Sequence, residues 1–129
     1  MPPDYFVGDV ILEGLASPAC LDTIQSCLIK SRVEERPGER FPLWHIQRYR
    51  VTREQVLAIT SLIERSFESG AWYVHFFSEQ NDELFVIITG RTFRLPKIRN
   101  HSWDEMIRYG ESVGLERRWT ESVPVDLSD

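Results

Sequence analysis

Gly70-Ala-Trp-Tyr-Val-His-Phe-Phe77 puts two aromatic residues, a histidine and two more aromatics into eight positions. The stretch contains no proline, and its only glycine stands at the start, so it reads as a strand over 71–77. Successive side chains of a strand point to opposite faces. Trp72, Val74 and Phe76 therefore share one face, the expected core, and Tyr73, His75 and Phe77 share the other. Gln80-Asn-Asp82 supplies a turn, and Leu84-Phe-Val-Ile-Ile-Thr89 is apolar on both faces, as a central strand is. Gly90 permits a bend, after which Arg91-Thr-Phe-Arg-Leu95 continues as a strand that ends at Pro96.

Working outward, Leu43 to Val51 is rich in aromatic and β-branched residues and reads as a strand. Thr52-Arg-Glu-Gln55 has the pattern of a capping box. Behind it Val56, Ile59, Leu62, Ile63 and Phe67 recur with the period of one buried helical face, and Ser69-Gly70 ends the helix. Ser102-Trp-Asp-Glu105 is a second capping-box pattern, opening a helix through Met106, Ile107, Gly110 and Val113. Arg117 to Val123 reads as a last strand. At the N-terminal end, Val7 to Glu13 is a short strand and Ser17-Pro18 starts a helix over 18–31, with Leu21, Ile24 and Leu28 at helical spacing. Glu35-Arg-Pro-Gly38 is a turn.

From residue 43 onward the order is strand, helix, two strands, helix and strand. This predicts an α+β fold, a ferredoxin-like (split βαβ) antiparallel sheet with helices on one face, plus an N-terminal strand-helix addition at its side or edge. One domain is expected over 1–129, made of an N-terminal unit (1–38), the ferredoxin-like unit (43–123) and a polar tail (124–129). Trp72, Phe76, Val86, Ile88, Ile59 and Ile63 are expected to share one core.

The chain has 129 residues, 42% of them hydrophobic and 12% aromatic, enough for one substantial core. Its formal net charge of −5 disfavours a protein whose main task is gripping nucleic acid. Arginines nevertheless gather at 31–50 and 91–118, where a solvated surface of mixed sign is the plain reading. The longest apolar runs are far shorter than the roughly 18–20 residues a membrane-spanning helix needs, and Met-Pro-Pro-Asp does not open a secretory signal. A cytoplasmic protein is the expectation. Cys20 and Cys27, seven apart on one expected helix, lie too far apart for a disulfide and read as packing residues.

Ile11-Leu12-Glu13-Gly14-Leu15, Trp72-Tyr73-Val74-His75-Phe76, Phe85 to Phe93 and Tyr109-Gly110-x3-Gly114 resemble the motifs of a group of small uncharacterised prokaryotic proteins. That group has a Glu-x-Leu near the start, a Trp-Tyr-Ala-x-Phe strand, an Ile-Ile-Phe-x-x-x-x-Phe strand pair and a Tyr-Gly-x-x-x-Gly helix end. The resemblance covers most of the chain and implies no activity.

Chemistry-bearing patterns are sparse. There is no Gly-x-Ser-x-Gly, no Ser-x-x-Lys and no phosphate-cradling glycine loop. His45 and His75 would make a metal site only with a third ligand such as Glu79 or Asp82. His75 would act as an acid or base only beside Glu13 or Glu83. No cofactor, metal or catalytic residue is assigned. What remains is the face of Tyr73, His75 and Phe77, opposite the helices of a ferredoxin-like sheet. Its expected use is association, as a homodimer or with a protein partner, in a non-catalytic interaction or regulatory module. The alternative is a small-molecule or metal-binding protein, even an enzyme, with a pocket near His75. The N-terminal unit as a cap over this face is a third arrangement.

Overall fold

The computed structural model describes residues 4–123; the polar tail expected at 124–129 lies outside the described residues. The described residues form six strands: β1 (Tyr5–Ile11), β2 (Leu28–Glu35), β3 (Leu43–Thr52), β4 (Tyr73–Ser78), β5 (Leu84–Ile88) and β6 (Arg91–Leu95). Its helices are α1 (Arg53–Glu64), α2 (Trp103–Ser112) and the single turn α3 (Arg117–Thr120). All six strands join one sheet in the order β2-β3-β1-β4-β5-β6, every neighbouring pair antiparallel.

The fold is α+β with an antiparallel sheet, and the ferredoxin-like expectation is met only in part. β3 and β4 flank a third strand, as in a split βαβ unit, but that strand is β1. The N-terminal strand thus sits at the centre of the sheet instead of being added at an edge. The cause is visible in its sequence: Phe6 and Val10 point to one face and Val7 to the other, and all three are buried. A strand that is apolar on both faces belongs inside a sheet. Arg117–Thr120, expected as a strand, is helical, so no strand follows α2 among the described residues.

The segment expected as one helix over 18–31 divides. Pro18–Cys27 winds as 3-10 turns, and Leu28 begins the edge strand β2. Leu21, Ile24 and Cys27 are spaced three apart, which aligns them along a helix of three residues per turn. Leu21 and Ile24 are fully buried and Cys27 packs on the same cluster. No disulfide joins Cys20 and Cys27. At Gly90 (φ 82°) the chain reverses rather than bends: Ile88 pairs with Arg91 and Leu84 with Leu95, so β5 and β6 are a tight hairpin. A positive φ at the second turn position is what glycine supplies.

Both faces of the sheet carry helices, contrary to the one-sided expectation. The first face holds Phe6, Val10, Tyr49, Val51, Val74, Phe76, Phe85 and Ile87, covered by Val56, Ile59 and Ile63 of α1 and by Leu21 and Ile24. The second holds Leu84, Val86, Ile88, Phe93 and Leu95, covered by Trp103, Met106 and Ile107 of α2. The residues expected to share one core fall in two: Phe76, Ile59 and Ile63 in the first, Val86 and Ile88 in the second. Leu62, placed by its spacing on the α1 stripe, is exposed. α2 spans only the β4–β5–β6 side, where Tyr73 and Phe77 pack against its cluster. The β2–β3–β1 side of that face is left without a long helix over it.

Candidate functional site

The uncovered half of the second face is the floor of a cavity of about 460 Å³. Strand alternation brings Asp9 and Ile11 of β1, Trp44 and Ile46 of β3, Arg32 and Glu34 of β2, and Tyr73 and His75 of β4 to that floor. The walls come from the β2–β3 loop with Arg36, Arg40 and Phe41, from the segment before β4 with Trp72, and from α3 with Arg118 and Trp119 together with Leu115 just before it.

Aromatic rings dominate one end. Trp72 lies 5.6 Å from Trp44 and 6.0 Å from Phe41, both tilted, as edge-to-face pairs prefer. The Arg36 guanidinium stands 3.9 Å from the centre of the Trp44 ring and 6.0 Å from that of Trp119. This cation–π contact links the β2–β3 loop with α3 across the cavity. Trp72, expected in the core, is only half-buried. It precedes β4, and its ring lies against Gly14, where an added Cβ would come within 2.8 Å of it.

The floor is charged but balanced. Arg48 holds Asp9 through two bonds, Nε to Oδ1 at 2.8 Å and Nη2 to Oδ2 at 3.3 Å, and both residues are largely buried. Arg32 reaches Asp9 at 3.8 Å and Glu34 at 3.9 Å. Arg36 reaches Glu34 at 3.5 Å and Glu39 at 3.2 Å. With the partners of Asp9 and Arg40 included, five arginines (32, 36, 40, 48 and 118) and five carboxylates (Asp9, Glu34, Glu39, Glu68 and Glu116) surround the space, so their formal charges cancel.

The residues singled out in the sequence are split by this arrangement. Tyr73, His75 and Phe77 do form a ladder on one face, with ring centres 6.1 and 6.3 Å apart. Tyr73 and His75 line the cavity, whereas Phe77 packs with the α2 cluster. Burial pushes the Tyr73 hydroxyl up, and it lowers His75 from 6.5 to about 4 against the opposing pull of Asp9. A buried imidazole of that kind is neutral at physiological pH.

Neither the metal set nor the acid–base pair weighed for His75 assembles. His45 and His75 face opposite sides of the sheet by strand alternation. Glu79 binds Arg50, and Asp82 accepts from the Ile98 amide. No group of three or more potential metal ligands occurs among the described residues. Glu13 accepts from the His45 amide at 2.6 Å and meets its Nδ1 at 2.6 Å. Burial raises that carboxyl, but the His45 bonds outweigh it and leave it lowered. Glu83 is clasped by Arg53 and Arg94, which likewise outweigh its burial.

Asp9, Arg32, Glu34, Arg36, Trp44 and Trp119 belong to the site without standing in any recognisable motif. One signal is present in the sequence: Lys30, Arg32 and Glu34 alternate with other residues, as on one face of a strand, from the end of the expected helix to the expected turn. Comparison of the chain with protein-family models, with curated proteins and with solved structures found no match.

Proposed function

We propose that this chain is a non-catalytic ligand-binding protein whose site is the cavity beside Tyr73 and His75. The observation that carries this reading is the cavity itself: about 460 Å³, within the roughly 300–1,000 Å³ of small-molecule pockets, with aromatic walls and a few convergent polar groups. A flat apolar face would have favoured association. The test is ligand-observed NMR with a small aromatic and polar fragment set. Fragments bound by the wild type and lost in Trp119→Ala support the site, and no binding at millimolar concentration overturns it.

A second reading keeps the interaction module, as a homodimer, and moves it to another surface. Tyr73, His75 and Phe77 are turned into the molecule, but Ile29, Val33 and Leu43 are about half exposed on the edge hairpin β2–β3. An edge strand with unpaired backbone groups is a template for a second copy. A monomer by light scattering at high concentration removes this reading.

No described helix is long and apolar enough to cross a membrane. A cytoplasmic setting, supported by the unbridged Cys20 and Cys27, and membership of the small prokaryotic group with the Trp-Tyr-x-x-Phe strand are parts of the same proposal.

A further inference from the structure

We propose that the cavity takes a free, neutral, planar heteroaromatic ring with hydrogen-bond donors and acceptors on its edge, of the nucleobase or nucleoside class. This rests on reading the cavity as a ligand site, and it is decided by charge and ring geometry.

An anion meets arginines that are already engaged. Arg32 is shared by Asp9 and Glu34, Arg36 by Glu34 and Glu39, Arg40 lies 3.5 Å from Glu68, and Arg118 lies 2.8 Å from Glu116. Taking the Arg36, Arg40 or Arg118 guanidinium leaves Glu39, Glu68 or Glu116 beside the incoming negative charge, and like charges at that distance repel, whereas Asp9 keeps Arg48 if Arg32 is taken. An organic cation meets a filled place, because the Arg36 guanidinium occupies the indole face of Trp44. A purely apolar ring leaves the charged groups of the floor without exchange for the water it displaces.

A neutral heteroaromatic ring avoids all three costs. Its face stacks on a guanidinium that already lies over an indole, Arg36 on Trp44 or Arg118 4.9 Å from the centre of the Trp119 ring, as bases stack on arginine. Its edge offers acceptors to Arg32 or Arg36 and donors to Glu34, the pairing by which arginine and carboxylates read base edges. Net charge in the cavity does not change, so no ion pair has to break. A nucleic-acid strand is the poorer occupant, since balanced charge provides no track for successive phosphates.

The test is calorimetric titration of the whole chain with adenosine, guanosine, adenosine monophosphate, a five-residue oligoadenylate, agmatine and, as the apolar ring, toluene. The expected result is nucleoside binding that weakens at least about tenfold in Trp119→Ala and returns in Trp119→Phe. Circular dichroism confirms that both variants fold, and binding stays level between roughly 50 and 500 mM salt. Monophosphate or oligonucleotide binding about tenfold tighter than nucleoside, or binding of agmatine or toluene alone, overturns the ligand class and leaves the cavity reading standing. Failure of all six, together with an empty fragment screen, overturns both.

Discussion

His75 illustrates how one residue acquires a property its sequence context does not show. In the unfolded chain its imidazole takes a proton near pH 6.5; buried between Tyr73 and Phe77 it does so only near pH 4. Between those values the unfolded state binds more protons than the folded one, so stability falls as pH falls through that window and is fully present above it. The shift corresponds to about 3 kcal/mol at pH 4. His75→Gln should therefore flatten the dependence of the urea midpoint on pH between 6.5 and 4.5 relative to the wild type. Parallel profiles for the two proteins would contradict the burial argument.

At the scale of the element, two helix starts with the same sequence pattern behave differently. Thr52 and Gln55 form a complete capping box, the Gln55 amide donating to Thr52 Oγ1 at 3.3 Å and the Thr52 amide to Gln55 Oε1 at 2.8 Å. Ser102 has helical dihedrals and makes no such bond; instead Asn100 Oδ1 accepts from the Ser102 amide at 2.9 Å, and Trp103 Nε1 donates to the Pro96 carbonyl at 2.8 Å. Loss of a side-chain cap costs roughly 0.5–2 kcal/mol. Thr52→Ala and Asn100→Ala should each show a loss in that range by chemical unfolding, and Ser102→Ala a smaller one than Asn100→Ala. Equal effects at Ser102 and Asn100 would restore the serine as the cap. The capping pattern was readable in both places, yet only the path of the chain from β6 decides which side chain meets the orphan amides.

At the scale of the whole molecule, one sheet carries two hydrophobic layers that share its strands. Ile59 of α1 is fully buried on the first face and Ile88 of β5 on the second. Truncating either to Ala should cost about 2–5 kcal/mol. Because the layers touch through the same strands, both variants should lower one common transition, and the double variant should be close to additive since the two side chains share no packing. Separate transitions by tryptophan fluorescence and circular dichroism would mean that the layers unfold independently. The same architecture answers the question raised by the Tyr73, His75, Phe77 face. α2 covers part of it from within, so charging Tyr73 and Phe77 together is expected to unfold the chain rather than dissociate a dimer.

Local patterns alone were enough for β3, α1, β4, β5, β6 and α2, because each buries a stripe whose period is written in neighbouring residues: Val56, Ile59 and Ile63 in α1, alternating aromatics in β4, an unbroken apolar run in β5. The same patterns determined that Tyr73, His75 and Phe77 share one face. They carry no information on what lies beyond a strand's own two faces. Tertiary structure alone decided that β1 enters between β3 and β4, that α2 covers the face opposite α1, and that residues as distant as Asp9, Arg32, Trp72 and Trp119 line one cavity. The physical reason is that strand order and helix side follow from which apolar faces can be buried at once, a condition on the whole chain, whereas period and capping are settled within a few residues.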